Sequence, residues 1–341
     1  MDRVAYKRKD TGRMSANKPI DIEVLVLTYN RAPLIGATLE SLLAQVQPAS
    51  RICVLDNGST DDTVKVVQSF TARGVELVCR SSNDPRACWP ELQAMARGPW
   101  TMLFHDDDLL HPDYLRDVSA ALAHEPHTTV AVSAMRAHQY PEHAEWRQVR
   151  GNRYCTLTGR QLAALLYGGF QMPFCSVVYR TDVLQRGNLG FETYGKICDR
   201  PFVIEAALAG SAVVMFDPYV KYRVHARQDS ADQATGPFLP EVFALQRYYR
   251  KILGERLIDF PGRIFLRRNY RNLLGEFIRL NRNARTPISQ DEFFRGAIEA
   301  GAASTWSLRC GKWYAALTQI PRLIERGFKA LIRRNGSDRN R

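Results

Sequence analysis

The chain has 341 residues, of which 47 are Lys or Arg and 35 are Asp or Glu, so its formal net charge at pH 7 is +12. With 45% hydrophobic and 24% charged residues, it has the composition of a globular protein, which excludes collagen-like, disordered and membrane-spanning classes. The positive excess, which commonly indicates an anionic partner, lies in residues 247–341, which contain 21 basic and 8 acidic side chains.

The first third of the chain alternates short apolar runs with helical patterns. Ile22–Thr28 is rich in β-branched residues, which is typical of a strand buried on both faces, and Pro33–Gln45 follows with leucines at helical spacing. Further strands are predicted at Arg51–Leu55, Val75–Cys79 and Trp100–Phe104, and further helices at Asp61–Thr71, Pro90–Ala96 and Pro112–Ala123. This alternation implies βαβ crossovers and a mostly parallel sheet.

The middle of the chain is less regular. Strands are predicted at residues 129–135, 175–179 and 212–216, helices at 159–167 and 200–209, and a loop at 139–153. From Leu239 onward the patterns are helical and heavily basic. We therefore predict a flexible basic tail over residues 1–18, an α/β domain over 19–235 and a helical basic region over 236–341.

Polar side chains follow three of the predicted strands: Thr28–Arg31, Asp56–Thr60 and His105–Asp108. Ligands of an open parallel sheet bind at the carboxyl ends of its strands, where the strand order reverses. The first turn has neither the glycine pattern of a dinucleotide site nor that of a phosphate loop. If the ligand carries phosphates, Asp106, Asp107 and Asp108 could meet them through a hard cation such as Mg²⁺ or Mn²⁺.

Each of these features also has an explanation that involves no ligand. The three aspartates could be turn residues that place negative charge ahead of the helix at Pro112, and Asp56–Thr60 could be a tight turn with a capping threonine. Asp199 could be a helix N-cap, and His225 and Arg223 could be solvated surface groups. The location of two acidic loops at the ends of separate parallel strands favours a nucleotide and metal site.

Residues 22–229 resemble family 2 glycosyltransferases of the GT-A fold, the kind that build bacterial polysaccharides. The matching motifs are VLTYNRAP at Val26–Pro33, VLDNGSTDDT at Val54–Thr63, FHDDDLLHPDYL at Phe104–Leu115, CDRPF at Cys198–Phe202 and YRVHARQDS at Tyr222–Ser230. The resemblance implies a Rossmann-like, mostly parallel sheet flanked by helices. It also implies inverting, metal-dependent transfer of a sugar from a nucleoside-diphosphate sugar to a hydroxyl of a saccharide or lipid-linked acceptor, in capsule, O-antigen or exopolysaccharide biosynthesis.

The resemblance further implies roles for individual residues. Those expected to bind the nucleotide sugar are Thr28, Tyr29, Asn30, Arg31, Asp56 for the base and Asp106 for the ribose. Asp107 is expected to bind Mn²⁺ or Mg²⁺, with Asp108 adjacent in the metal site, and His225 falls where many members place a residue that touches metal or diphosphate. Arg223 is expected to contact the diphosphate because a guanidinium can pair with phosphate. Asp199 falls where the family keeps the base that takes a proton from the acceptor hydroxyl. His105 and Cys198 stand where Asp and Glu are commoner in the family.

The C-terminal region carries a second pattern. Trp313–Arg334 places Trp, Leu, Ile and Phe on one helical face and Arg and Lys on the other. Such a helix can lie on an anionic membrane surface, or its apolar face can pack on the catalytic domain or on a partner. If it binds membrane, the enzyme is expected on the inner face of the cytoplasmic membrane.

The cysteines and termini bear on location. Seven cysteines form no C-x-x-C pair, and an odd number fits poorly with a disulfide framework. Residues 1–18 lack the apolar stretch of a signal peptide, and no apolar run reaches the ~18 residues that span a bilayer. We therefore predict a cytoplasmic protein whose membrane contact, if any, is peripheral.

Two rival functions follow from parts of the pattern. A sugar-phosphate nucleotidyltransferase also uses acidic metal ligands on an α/β sheet, but it would normally have a glycine-rich loop after the first strand, and Thr28–Pro33 contains no glycine. A nucleic-acid-binding protein would use the C-terminal charge, but it would leave the strand-end carboxylates unexplained, and the basic region shows no recognised binding motif. No nucleic-acid partner is therefore expected.

Overall fold

The computed structural model describes residues 19–151, 153–168, 170, 172–225, 239–254, 273–275, 277–278, 289–306 and 308–309. Contacts divide the chain into two compact units, Met1–Leu166 with Phe170–Asp232 and Tyr167–Gly169 with Gln233–Arg341. The predicted tail over 1–18 and the predicted helix over 313–334 lie outside the described residues. The predicted domain boundaries stay predictions.

A mixed sheet of nine strands forms the described core of the first unit. The strands are β1 (Ile22–Thr28), β2 (Arg51–Asp56), β3 (Val75–Cys79), β4 (Trp100–His105), β5 (Leu109–Leu110), β6 (Thr128–His138), β7 (Tyr154–Leu157), β8 (Val178–Arg180) and β9 (Ser211–Arg223). Their order is β3-β2-β1-β4-β8-β6-β9-β5, and β7 also pairs with β9. Strands β3, β2, β1 and β4 are parallel, as are β6 and β9, whereas β8, β5 and β7 pair antiparallel with their neighbours.

The helices of this unit connect the strands. They are α1 (Ala32–Leu43), α2 (Thr63–Gln68), α3 (Cys88–Ala94), α4 (Tyr114–Ala123), α5 (Gly159–Tyr167), α6 (Thr181–Arg186), α7 (Phe191–Tyr194) and α8 (Asp199–Leu208). The apolar pattern explains how they pack: Ile35, Leu39 and Leu42 share one face of α1 and are buried together with Val24 and Val26 of β1 in a single hydrophobic cluster. The predicted α/β class, a largely parallel sheet flanked by helices, is confirmed.

Strand β9 is longer than its apolar pattern predicts, because it runs from Ser211 to Arg223 instead of ending at residue 216. Its second half contains the buried polar residues Asp217, Lys221 and Arg223, whose hydrogen-bond partners come from neighbouring segments. Pro218 lies where the pairing of β9 with β6 shifts register. Proline is tolerated at such an irregularity since a bulged position needs no regular ladder bond.

Two other predicted elements are shorter or shifted. The predicted helix over 61–71 is α2 followed by a separate 3-10 turn at Thr71–Arg73. The predicted strand over 175–179 is a 3-10 turn at Phe174–Ser176 followed by β8. Serine explains the second change, because the Ser176 hydroxyl bonds the Pro173 carbonyl and turns the chain before the strand begins.

The second unit contains two long helices among its described residues. It contains α9 (Leu239–Leu253) and α10 (Gln290–Glu299). The Ser289 side chain caps α10 by accepting the Glu292 amide at 3.1 Å, and Phe243 of α9 lies 5.6 Å from the Phe293 ring of α10. None of the helices in the described ranges is long and apolar enough to cross a membrane.

Candidate active site

The strand order of the sheet reverses beside β1. From β1 the chain moves to β2 and β3 on one side, and it then returns to place β4 on the other side. The register pairs Thr28 with Asp56 and Leu27 with His105, so the carboxyl ends of β1, β2 and β4 lie side by side. This is the edge at which a ligand is expected in an open α/β sheet.

Hydrogen bonds join the loops after β1 and β2. The Asn30 amide donates to the Ser59 hydroxyl at 2.9 Å, and the Asn30 side-chain oxygen accepts the Thr60 amide at 2.8 Å. The Arg31 amide donates to the Thr63 hydroxyl at 2.7 Å. Asn30 has a φ of 52°, a left-handed conformation that asparagine tolerates better than most residues. The two loops therefore form one hydrogen-bonded wall, and the parts played by the Ser59 and Thr63 hydroxyls were not predicted.

Asp56 closes the end of β2 and is 1% exposed. One carboxylate oxygen accepts the Ser59 amide at 2.9 Å, whereas the other, Oδ1, is buried and has no hydrogen-bond partner among the described residues. Gly58 follows with a φ of 76°, and a Cβ there would lie 2.5 Å from the Ser82 carbonyl carbon, so only glycine allows this approach. A buried acceptor without a donor is costly, and an N–H of a ligand would satisfy it.

Asp106 connects the acidic motif to the loop after β1. Its carboxylate accepts the Tyr29 amide at 3.1 Å and lies 3.5 Å from the Arg31 guanidinium. Burial, and after it the charge of Asp107, raises the pKa of Asp106 to about 7, although Arg31 and Thr28 act in the opposite direction. The motif thus concentrates negative charge that the surrounding protein compensates only in part.

Asp107 faces His225. The His225 Nε2 atom lies 2.9 Å from the Asp107 Oδ2 atom, and the two residues are 118 positions apart in the chain. Carboxylate oxygen is a preferred ligand of Mg²⁺ and Mn²⁺, and neutral imidazole is a common metal ligand. The donor atoms and the crowded negative charge therefore fit a divalent cation.

Asp108 is fully buried, and its oxygens face protein groups. Oδ1 accepts the Arg223 amide at 2.8 Å, and Oδ2 accepts the Cys175 thiol at 2.9 Å with His105 Nδ1 3.8 Å away. His105, Asp108 and Cys175 have ligand atoms within 4.8 Å of one another. However, burial, followed by the charge of Asp108, raises the pKa of the Cys175 thiol well above its ordinary value. The protonated thiol is a hydrogen-bond donor and a poor metal ligand.

Helices α2, α4 and α8 begin close to the predicted site residues. Strand β5 separates the aspartates from α4, whose N-cap is Asp113, and the N-cap of α2 is Asp62 and not the predicted threonine. Asp199 is the first residue of α8 and not its N-cap, which is Cys198. Asp62 and Cys198, and not Thr60 and Asp199, therefore occupy the N-cap positions of α2 and α8.

Asp199 is half-buried at the start of α8. Desolvation raises its pKa, while Arg200 and, more weakly, His105 lower it. His105, which lowers the pKa of Asp199, is the last residue of β4 and directly precedes the three aspartates. Arg223, the remaining predicted site residue, is buried, and its role as a diphosphate ligand stays a prediction.

The chain is similar to glycosyltransferases in sequence. Residues 23–186 match the family model described as Glycosyl transferase family 2. The succinoglycan biosynthesis protein ExoO of Rhizobium meliloti (strain 1021) is 23% identical over 219 residues, which cover 63% of this chain and 63% of that protein. Chondroitin synthase of Escherichia coli is 25% identical over 111 residues, 32% of this chain and 16% of that protein. The chain thus spans less than two thirds of either relative.

Solved structures share the fold. S. aureus TarS, solved in complex with UDP-GlcNAc, has a TM-score of 0.57 at 18% identity, covering 82% of this chain and 79% of that one. A mannosyltransferase from Pyrobaculum calidifontis, solved with GDP-Man and Mn²⁺, has a TM-score of 0.52 at 17% identity, covering 89% of this chain and 81% of that one. The GT-A type of α/β fold expected from the sequence is therefore confirmed. The family model thus matches a little under half of this chain, over residues 23–186, and the chain is similar to glycosyl transferase family 2 there.

Proposed function

We propose that this chain transfers a sugar from a nucleoside-diphosphate sugar to a hydroxyl of a saccharide or lipid-linked acceptor, with inversion at the anomeric carbon. The observation that supports the proposal is the arrangement at the carboxyl ends of β1, β2 and β4. A buried Asp56 oxygen without a hydrogen-bond partner among the described residues lies at this edge together with the Asp107–His225 pair. A nucleotide base offers N–H groups that can donate to the Asp56 oxygen. A cation bound to a diphosphate suits the Asp107–His225 pair.

The donor would lie across the joined loops. Thr28, Tyr29, Asn30 and Arg31 would line the nucleotide pocket, and Asp106, fixed by the Tyr29 amide, would face the ribose. Asp107 and His225 would hold Mn²⁺ or Mg²⁺, and the additional ligand role predicted for Asp108 competes with its bonds to Arg223 and Cys175. When bound, the cation supplies positive charge next to the leaving diphosphate. The donor types named for TarS and the Pyrobaculum enzyme support this class of substrate.

Asp199 would be the catalytic base. A sugar hydroxyl is a weak nucleophile at neutral pH, and a carboxylate within hydrogen-bond reach can take its proton during attack on the anomeric carbon. The raised pKa of Asp199 makes it a stronger base than an exposed aspartate. A single displacement of this kind inverts the anomeric centre and needs no covalent glycosyl-enzyme.

The acceptor and the pathway are proposed at a coarser level. The names of ExoO and of chondroitin synthase support a saccharide acceptor and a role in cell-surface polysaccharide biosynthesis. The peripheral membrane location stays a prediction, because the amphipathic pattern over residues 313–334 lies outside the described part of the chain.

Incubation of the full chain with a panel of nucleotide sugars and Mn²⁺ tests the proposal. We expect one donor to raise the melting temperature and to release its nucleoside diphosphate, with faster release when saccharide acceptors are added. The anomeric configuration of the product, read by NMR, should be opposite to that of the donor. Release of pyrophosphate from a nucleoside triphosphate and a sugar phosphate would instead show a nucleotidyltransferase, and retained configuration would contradict the single displacement.

A further inference from the structure

Arg223, at the end of β9, makes bonds to both sides of the acidic motif. Its Nε atom donates to the Asp107 carbonyl oxygen at 2.8 Å, and its backbone amide donates to the Asp108 carboxylate at 2.8 Å. His225, two residues later, meets the Asp107 carboxylate. Arg223 and His225 together therefore contact the main chain of Asp107, the side chain of Asp107 and the side chain of Asp108.

The outer part of the Arg223 guanidinium is neutralised by Glu142. Its Nη1 atom lies 2.6 Å from the Glu142 carboxylate, and the Arg223 side chain is 6% exposed while that of Glu142 is 37% exposed. A planar guanidinium has several donors in a fixed arrangement, so one side chain can bind a carbonyl and a carboxylate at the same time. Arg223 thus joins Asp107 to the segment that carries Glu142.

That segment is itself fixed on the same face of β9. Lys221 lies two residues before Arg223, so the two side chains point to one face of the strand. The Lys221 ammonium donates to the carbonyl oxygens of Pro141 and Ala144 and lies 3.9 Å from the centre of the Trp146 ring. Glu142 is therefore anchored on both sides, and it can act as a stable counter-charge for Arg223.

We infer that Arg223 is a positioning residue, which holds Asp107 for the cation with Glu142 as its counter-charge, and that it is not a ligand of the diphosphate. The inference rests on the proposed cation site at Asp107 and His225. A group that orients a metal ligand affects metal affinity typically by about 10–100-fold. A diphosphate ligand would instead affect nucleotide affinity and leave the affinity for the metal alone unchanged.

Substitution of Glu142 distinguishes a positioning role of Arg223 from a diphosphate-binding role, because the two roles predict different changes in affinity. If Arg223 positions Asp107, Glu142→Gln loosens the guanidinium and weakens Mn²⁺ binding. If Arg223 binds diphosphate, the same change frees the guanidinium from a competing carboxylate and strengthens nucleoside-diphosphate binding. Because the Glu142 side chain is partly exposed, Glu142→Gln should disturb folding less than a substitution of the buried Arg223.

The experiment measures Mn²⁺ affinity of the full chain by electron paramagnetic resonance without nucleotide, and then UDP and GDP affinity at saturating Mn²⁺. The variants are Arg223→Gln, Arg223→Lys, Glu142→Gln and Asp107→Asn. The matched control pair is Arg73→Gln and Glu40→Gln, since these residues form a salt bridge of the same type whose side chains are 47% and 57% exposed. Circular dichroism confirms that each variant is folded.

We expect a Mn²⁺ dissociation constant raised about tenfold in Arg223→Gln, and raised by a smaller factor in Glu142→Gln, which removes only the counter-charge. Arg223→Lys should recover little, because lysine cannot make both bonds at once, and the control pair should bind as wild type does. Two results would overturn the inference, provided that Asp107→Asn loses Mn²⁺ binding. They are unchanged Mn²⁺ affinity in Arg223→Gln and tighter nucleotide binding in Glu142→Gln. Wild-type Mn²⁺ affinity in Asp107→Asn would overturn the proposed metal site itself.

Discussion

Three consecutive aspartates follow β4, and each has different surroundings. Asp106 contacts the loop after β1, Asp107 meets His225, and Asp108 accepts bonds from the Arg223 amide and the Cys175 thiol. The residues were predictable as a group because acidic residues at a strand end are visible in the sequence. Their separate surroundings were not, because the partners Cys175, Arg223 and His225 lie 67 to 118 positions away.

Asp56→Asn tests the donor pocket. The change keeps the shape of the side chain but removes the negative charge from the Oδ1 atom, which has no hydrogen-bond partner in the described part of the chain. A hydrogen bond to a charged group contributes about 1.5–3 kcal/mol, so we expect the affinity for the nucleotide to fall by about 10–100-fold. Calorimetric titration with UDP and GDP measures this, with Asp62→Asn as the control because its side chain is 70% exposed. Equal affinity in Asp56→Asn and wild type would exclude the base contact.

Asp199→Asn tests the base. We expect kcat to fall by about 10²–10⁴-fold while nucleotide binding is retained. In the wild type, activity should fall with decreasing pH as Asp199 is protonated, and this limb should lie above the ordinary aspartate pKa of about 3.9 because desolvation raises the pKa of Asp199. The limb should be absent from the residual activity of the variant. A pH-rate profile measures both, and full turnover by the variant would require a different base.

The same substitution should stabilise the protein. A carboxyl group whose pKa is raised by folding lowers stability above its folded-state pKa, and this cost disappears below the unfolded-state pKa. Asp199→Asn removes the cost, so its free energy of unfolding should exceed that of wild type near pH 7 and approach it near pH 3. Urea unfolding at the two pH values measures the difference. A less stable variant at pH 7 would contradict the desolvation of Asp199.

Among the elements, the apolar ones were predicted best. Strands β1 and β3 and helix α5 have the predicted bounds, because a short apolar run or an amphipathic period determines each of them. Strand β9 was predicted too short, since its second half buries Lys221 and Arg223, which a hydropathy pattern excludes from a core. Burial of these cations depends on carbonyl and carboxylate partners that only the folded chain brings near.

One buried carboxylate joins the parallel strands β1, β2 and β4. Glu23 of β1 is 1% exposed. Its oxygens accept bonds from the Arg97 and Gly98 amides, the Thr101 hydroxyl and the Arg51 guanidinium. Glu23→Ala would leave these donors without their acceptor, and removal of one partner from a buried charged network costs about 3–5 kcal/mol.

Glu76→Ala is the matched control for this prediction. Glu76 pairs with the same Arg51 guanidinium at 2.9 Å, but its side chain is 50% exposed. An exposed pair contributes about 0–1 kcal/mol, so the free energy of unfolding in urea should fall far less than in Glu23→Ala. Equal losses in the two variants would contradict the structural role of Glu23.

In the whole molecule, the net positive charge and the candidate site lie in different parts of the chain. The net charge of +12 comes from residues 247–341, whereas the candidate site lies in the first unit and is acidic. The general location of the site was predictable because the strand-end rule needs only the order of strands and helices. The sequence did not predict the contacts of Glu142, Lys221 and Cys175. A periodic pattern indicates helices and strands, but it does not indicate which distant residues a loop or a single cysteine will contact.

We expect Asp107, which follows β4, to hold a cation with which this chain releases a nucleoside diphosphate from a nucleotide sugar. The most direct measurement is the rate of nucleoside-diphosphate release with Mn²⁺ and with chelator, in wild type and in Asp107→Asn, with Asp62→Asn as the exposed control. We expect Mn²⁺-dependent release by wild type and by Asp62→Asn, and a loss of at least about 10²-fold in Asp107→Asn. Release by Asp107→Asn at the wild-type rate, or wild-type release that chelator leaves unchanged, would contradict this role of Asp107.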